Sequence, residues 1–181
     1  MLRACAFNGE TASTHISSLD IIYHLAFGRI PALKYPFSEK YKANGTSTLT
    51  DGIRGGKNFR DGNWQGYYFN DLEGMIDLGK EKKIGKISAG FFQSTDDWIF
   101  FPKNTEIYVS LNGQDFLSAG MLTPENPGTE QISGRNTYSL ELNNIKARYI
   151  LIKASSVKVC PQGHPGEGEK AWLFADEIIV E

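Results

Sequence analysis

Residues 105–116 read TEIYVSLNGQDF: apolar and polar positions alternate up to Leu111, Asn112-Gly113 interrupts, and a second segment begins near Phe116. Alternation with period two marks a half-buried strand, and Asn-Gly is the dipeptide that a tight hairpin turn favours. Stretches of the same kind recur along the chain. They are EGMIDLG (73–79), KIGKISAGFF (83–92), TYSLELN (137–143), ARYILIKASSVKV (147–159) and FADEIIVE (174–181). Rich in Ile, Val, Tyr and Phe and separated by Gly, Asn and Asp, they predict an antiparallel all-β sandwich or barrel.

The segments between them fit that reading. MLTPENPGTEQISGRN (121–136) is long and rich in breakers, which predicts a surface connection between strands. THISSLDIIYHLAF (14–27) is the one stretch with the makings of a short helix. LRACAFNGETAS (2–13) reads as half a hairpin, a strand followed by Asn8-Gly9 with no partner before it. It is either the first strand of the same sandwich or the end of a preceding unit.

With 181 residues, 40% of them apolar and 22% charged, the chain has the size and composition of one globular domain with room for an appendage. The 19 basic and 21 acidic side chains give a net charge of −2 and form no basic block. A nucleic-acid groove or an anionic membrane surface needs such a footprint, so neither partner is expected. Apolar runs such as WIFFP (98–102) fall far short of the roughly 20 residues of a membrane span. MLRACAFNGETAS at the start lacks the pattern of a signal peptide, so any export signal is expected to lie elsewhere.

KVCPQGHPGEGEKAWLF (158–174) gathers a cysteine, a histidine and a tryptophan among glycines and prolines. Cys160 and His164 have ligand-like spacing, yet zinc needs three or four ligands and the chain offers only His15, His24 and the distant Cys5 besides. Nor does Cys160, followed by Pro161, carry the surroundings of a nucleophile. A buried, inert thiol is the expectation. Acidic residues sit mostly at strand ends and turns, and nothing singles out the carboxylate pair that a glycosidase requires.

LTDGIRGGKNFRDGNWQGYYFNDLE (49–73) holds Asp51-Gly52 and Asp61-Gly62 in a glycine-dense loop. Such carboxylates either cap turns or present oxygens to a hard cation such as calcium. The loop tryptophans Trp64, Trp98 and Trp172 likewise have two readings: each caps the core, or several together offer aromatic faces to a sugar ring.

In order along the chain, KYPFSEKYKANGTSTLTDGIRG (34–55), NWQGYYFNDLEGMIDLGKEKKIGKISAGF (63–91), WIFFPKNTEIYVSLNGQDF (98–116), ARYILIKA (147–154) and AWLFADEIIVE (171–181) resemble the coagulation factor 5/8 type C (discoidin-like) domain. The version most similar is that appended to bacterial chitobiase/β-hexosaminidase-type enzymes of glycoside hydrolase family 20, with relatives among family 32 carbohydrate-binding modules. The resemblance covers roughly residues 24–181. It implies an eight-stranded antiparallel jelly-roll sandwich of galactose-binding type over residues 22–181, with residues 1–21 the tail of a preceding small β-sandwich or a linker.

It also implies a non-catalytic module, without the catalytic barrel of its parent enzyme, that binds galactose- or N-acetylhexosamine-containing glycans. The alternative is a structural domain that packs on that catalytic domain. By position, Trp64, Gln65, Tyr67, Trp98, His164 and Trp172 would meet the sugar. Rings would stack on it, and Gln65 and His164 would hydrogen-bond its hydroxyls, with Arg54 or Lys170 as a charged donor. A structural calcium would take oxygens from Asp51 and Glu177 and the carbonyl of Asp176. The loop after Asp51 is longer than the family pattern and lacks its usual Asn and Thr, so Asp61 or nearby carbonyls would complete the shell. The expected partners are a glycan and other domains of the same polypeptide. A monomer is expected, in the periplasm, at the cell surface or secreted from a bacterium.

Overall fold

A computed structural model describes residues 2–9, 11–125 and 133–181, with backbone alone for 2–8 and 12–19. Strands β1 (Leu2–Asn8) and β2 (Thr11–Leu19) pair antiparallel as a separate two-stranded sheet, Leu2 opposite Leu19. The partner of the first strand therefore follows it. No helix forms over 14–27: its first part belongs to β2, and beyond it Ile22 N–H donates to Gly52 O and Leu25 N–H to Val180 O. Backbone groups satisfied by distant strands are not free to close helical turns.

The remaining strands are β3 (Ala32–Leu33), β4 (Gln65–Tyr68), β5 (Leu72–Ser94), β6 (Asn104–Ser110), β7 (Leu117–Met121), β8 (Thr123–Pro124), β9 (Ser133–Ser155) and β10 (Trp172–Val180). They form one eight-stranded antiparallel sheet, in the order β4-β10-β5-β9-β6-β7, with β3 added to β5 and β8 to β9. The sheet is folded on itself through its two longest strands. The first part of β5 pairs with the last part of β9 (Leu72 opposite Ala154), and the second part of β5 with the first part of β9 (Ser94 opposite Ser133). Register shifts between Asp77 and Lys82 and between Ile84 and Lys86 carry the bend. Segments that sequence separates as 73–79 and 83–92, or 137–143 and 147–159, are thus single bent strands.

One face is β3, β5, β9, β6 and β7, and the other is β4, β10, β5, β9 and β8. Ile76, Ile107, Ile150 and Ile152 from the first meet Ile87, Phe91, Leu173 and Ile178 from the second in one buried core. Each such side chain, fully removed from water, is worth about 1.5–3 kcal/mol. A second, smaller cluster of Phe59, Trp64, Phe92, Ile99 and Phe174 forms on the outer side of β10 and β5, under the loop that precedes β4.

Two connections differ from their sequence reading. Between β6 and β7 the chain makes a longer loop, in which Asn112 Oδ1 accepts from the N–H groups of Gln114 and Asp115 while Gly113 takes φ 76°. The side chain of Asn112, rather than a two-residue turn, closes it. In the 121–136 connection β8 intervenes, and residues 126–132 lie outside the described residues.

Candidate functional site

Strand pairing sets the two ends of the sandwich. Leu72 opposite Ala154 and Asn104 opposite Ser155 lie at one end, while Asp77 and Ser110, both opposite Tyr149, lie at the other. The first end gathers the loops around residues 56–63, 95–98 and 156–171.

Alternation along β4 decides which aromatics reach this rim. Tyr67 points into the main core and is fully buried, with its hydroxyl donating to Gln65 Oε1 at 2.6 Å. Gln65 is buried as well and donates from Nε2 to Gly45 O at 2.7 Å. Trp64 is 1% exposed and donates its indole N–H to Gly56 O. Gly55 lies so close against that indole that no Cβ fits. These three predicted sugar contacts are therefore corrected: they are core and loop-anchoring residues, closed to a ligand.

Tyr68, the next residue, faces outward and is 43% exposed. It sits opposite Trp172 on β10 with ring centroids 4.6 Å apart, and Tyr41 meets Trp172 edge-on at 5.2 Å. Phe69 is also 43% exposed, under the ammonium of Lys170. Its φ of 56° is a left-handed conformation unfavourable for an aromatic residue. Tyr68, Phe69 and Tyr41 were absent from the sequence-derived set; the exposed neighbour of a buried Tyr67 was the signal that period two offers.

Trp98 adjoins this ledge. It ends the short 3-10 turn Thr95–Asp97 with φ 62°, is 36% exposed, and accepts from Trp172 N–H through its carbonyl. Its indole lies against Gly166, where an added Cβ would come within 2.9 Å. His164 holds the same loop in place: Nδ1 accepts from Gly166 N–H, so Nε2–H donates to Thr95 O at 2.9 Å. With both ring nitrogens engaged, His164 is a loop clamp rather than a hydroxyl donor, which corrects its predicted role. Cys160 is buried beside Phe100 and Ala171, and burial pushes its thiol pKa up, as expected of an inert cysteine.

The four predicted calcium-binding residues, Asp176 among them through its carbonyl, separate into two kinds. Asp61 caps its own loop, accepting from Gly56 and Asn63 N–H. Asp176, fully buried, accepts from Gly55 and Glu177 N–H with Arg54 and Arg135 near, and Gly90 is required opposite because a Cβ there would overlap its carboxylate. Neither side chain is free to bind a cation. A register shift in β10 between Ala175 and Ile178 is what brings both Asp176 and Glu177 into the interior.

Glu177 is different. Two backbone N–H groups, of Ala26 and Val180, point at His24 Nδ1, which therefore accepts, and Nε2–H donates to Glu177 Oε1 at 2.7 Å. Glu177 Oε2 is buried without a hydrogen-bond partner, and the Asp51 carboxylate is its acidic neighbour. Burial above all, opposed by the Gly52 N–H and reinforced by Asp51 and Asp176, pushes Glu177 up to about 9. A proton or a cation would relieve this pair. Among the described residues no three His, Cys, Asp or Glu side chains are arranged to hold a metal. Asp51 itself accepts from Ile53 N–H and from the Asn44 side-chain amide, so a calcium ion shared by Asp51 and Glu177 would compete with those bonds and need backbone carbonyls for the rest of its shell.

No protein-family model and no curated protein matches the chain. Solved structures do. A CBM32 module from a family 31 glycoside hydrolase of Clostridium perfringens aligns with 18% identity and a TM-score of 0.54, over 86% of this chain and 94% of that one. A fucose binding module of Streptococcus pneumoniae aligns with 17% identity and a TM-score of 0.54, over 87% and 94%. The lectin domain of lectinolysin, solved with Lewis B antigen, aligns with 11% identity and a TM-score of 0.54, over 90% and 98%. The likeness is one of backbone architecture: this chain has the antiparallel β-sandwich fold found in those carbohydrate-binding modules.

Proposed function

We propose that residues 22–181 are a non-catalytic carbohydrate-binding module. The observation that carries this reading is the ledge of Tyr68, Phe69, Trp98 and Trp172 at one end of the sandwich. Two of the four sit on left-handed backbone, a conformation retained where the surrounding structure and function demand it. An exposed aromatic face matches the apolar C–H face of a pyranose. A shallow ledge of this kind suits weak binding, with a Kd of roughly 0.1–1 mM, or about 4–5.5 kcal/mol.

The ligand in this proposal is a galactose- or N-acetylhexosamine-containing glycan. The parent protein is a glycoside hydrolase of β-N-acetylhexosaminidase type, periplasmic, at the cell surface or secreted in a bacterium. The fold likeness to a glycoside-hydrolase module supports a carbohydrate-binding role, and the resemblance of the sequence alone supports the β-N-acetylhexosaminidase parent and its location. Calcium, held by Asp51 and Glu177, has a structural role that locks the loop before β4 to β10. Glycan-array screening of the isolated chain tests the reading, with Trp172→Ala and Tyr68→Ala as controls. Absence of binding to every neutral and acidic glycan would sink it.

A second reading rests on Leu111, Leu117 and Met121, which are exposed on and beside β7. Leu111 and Leu117 lie at the end of the sandwich remote from the ledge and Met121 further along the β7 edge; together they suit a contact with another domain of the same polypeptide, which is compatible with glycan binding.

A further inference from the structure

Beside the aromatic ledge a cleft of 530 Å³ opens between residues 55–57 and the start of β9, lined by Gly55, Gly56, Lys57, Ser133, Gly134 and Arg135. Among the described residues its charged lining, Lys57 and Arg135, is basic. Arg135 gives one guanidinium N–H to Gly55 O at 3.1 Å, and Arg54, next to the cleft, reaches only Thr137 Oγ1 at 3.4 Å. Among the described residues, neither arginine nor Lys57 is in an ion pair. Among the described residues the nearby acids are engaged: Asp176 is fully buried, takes Gly55 and Glu177 N–H and has Arg54 and Arg135 near it, and Asp61 takes Gly56 N–H. Gly55 and Gly56 pack against Trp64 and Asp61, where a Cβ would clash, so backbone forms this wall of the cleft. Ser133 pairs with Ser94, which leads directly into the turn that ends at Trp98, so the cleft and the ledge share one rim.

We infer that this cleft receives the carboxylate of an acidic sugar, a uronate or a sialate, while the ledge stacks a neighbouring ring. This deepens the glycan-binding reading and rests on it. The planar fork of Arg135 matches a carboxylate in two-point contact, and Lys57 adds a second charge. Both groups are exposed, so their contribution is screened by salt.

Isothermal titration with oligogalacturonate and sialyllactose, against lactose, N-acetylglucosamine oligomers and galactose 6-sulfate, tests the inference. The expected result is at least 10-fold tighter binding of the carboxylated sugars at low salt, narrowing at 0.5 M salt. Lys57→Gln and Arg135→Gln should each remove most of that preference, while Trp172→Ala weakens acidic and neutral ligands alike. Arg135 also anchors Gly55, so its variant is checked by thermal melting; the exposed Lys57 supplies the variant that leaves the fold alone. Equal binding of acidic and neutral sugars, unchanged by Lys57→Gln, overturns the acidic assignment and leaves the glycan reading standing. Preference for the sulfated sugar alone overturns the carboxylate assignment. No binding to any sugar overturns both.

Discussion

Tyr68 and Trp172 face each other across the β4–β10 ladder, their ring centroids 4.6 Å apart and their planes tilted by 36°. The pair is the outer end of a continuous aromatic cluster that runs through Tyr41, Phe174 and Phe59 to the buried Trp64. The ledge is therefore rigid, because its inner members are held by packing.

Ligand affinity and fold stability should separate along that cluster. Trp172→Ala is expected to weaken glycan binding about 10-fold, since an aromatic partner is worth about 0.5–1.5 kcal/mol beyond the area it buries. Titration of the variant by calorimetry reads this directly. Tyr68→Ala should have a smaller effect in the same direction with little change in melting temperature.

Trp64→Ala should behave in the opposite way. Removing a fully buried tryptophan costs about 3–5 kcal/mol, and here it also empties the space that Gly55 leaves for the indole. Chemical denaturation should show the loss. A Trp64→Ala protein as stable as the wild type would remove the basis for placing this residue in the core.

Calcium and pH should act on the same oxygen. Between about 4.5 and about 9 the folded chain keeps a proton on Glu177 that the unfolded chain releases, so stability falls as pH rises through that window. His24, lowered by burial to about 4 from 6.5, acts in the opposite direction below 6.5, and above it the Glu177 slope stands alone. Without calcium, the melting temperature should therefore decline from pH 6.5 to 9. Added calcium should raise it, and more at pH 8.5 than at pH 5.5, because the ion replaces a proton. Glu177→Gln should abolish both the decline and the calcium response.

Asp77 provides an acid-side counterpart remote from the site. Arg148 holds its carboxylate through two hydrogen bonds of 2.8 Å and draws its pKa down to about 2 from 3.8. The stability this contributes is complete above about pH 4 and is lost as pH falls towards 2. Arg148→Ala should flatten the stability profile in that window by lowering stability slightly above about pH 4, on the small scale of an exposed pair, while leaving stability near pH 2 unchanged.

Alternating segments such as TEIYVSLNG made the all-β sandwich readable from sequence, since period two reports a half-buried strand whatever its partners. Joining 73–79 to 83–92 as one bent β5 was not readable, because Gly79 and Gly85 mimic a turn while the ladder to β9 continues around them. Of the candidate contacts, Trp98 is exposed and Trp172 half-buried, whereas Trp64, Gln65 and Tyr67 are buried. Residue type marks an aromatic as important without saying which side of the strand it takes; Tyr67 and Tyr68 differ only in parity. Likewise, all four acids were visible, but the register shift that turns Asp176 towards Gly55 and leaves Glu177 Oε2 unpartnered is a property of strand pairing.

The position of β10, inserted between β4 and β5, sets the order in which this module can be completed during synthesis. Every other strand of the sheet leaves the ribosome first, and one whole face waits with a gap at its centre. The last strand to emerge brings Trp172, Asp176 and Glu177 together, so neither the ledge nor the carboxylate pair exists on a nascent chain. Pairings this distant in sequence close slowly. A chain stalled before residue 172 would expose the unpaired edges of β4 and β5, so the emergence of β10 both completes the ledge and closes these edges against aggregation.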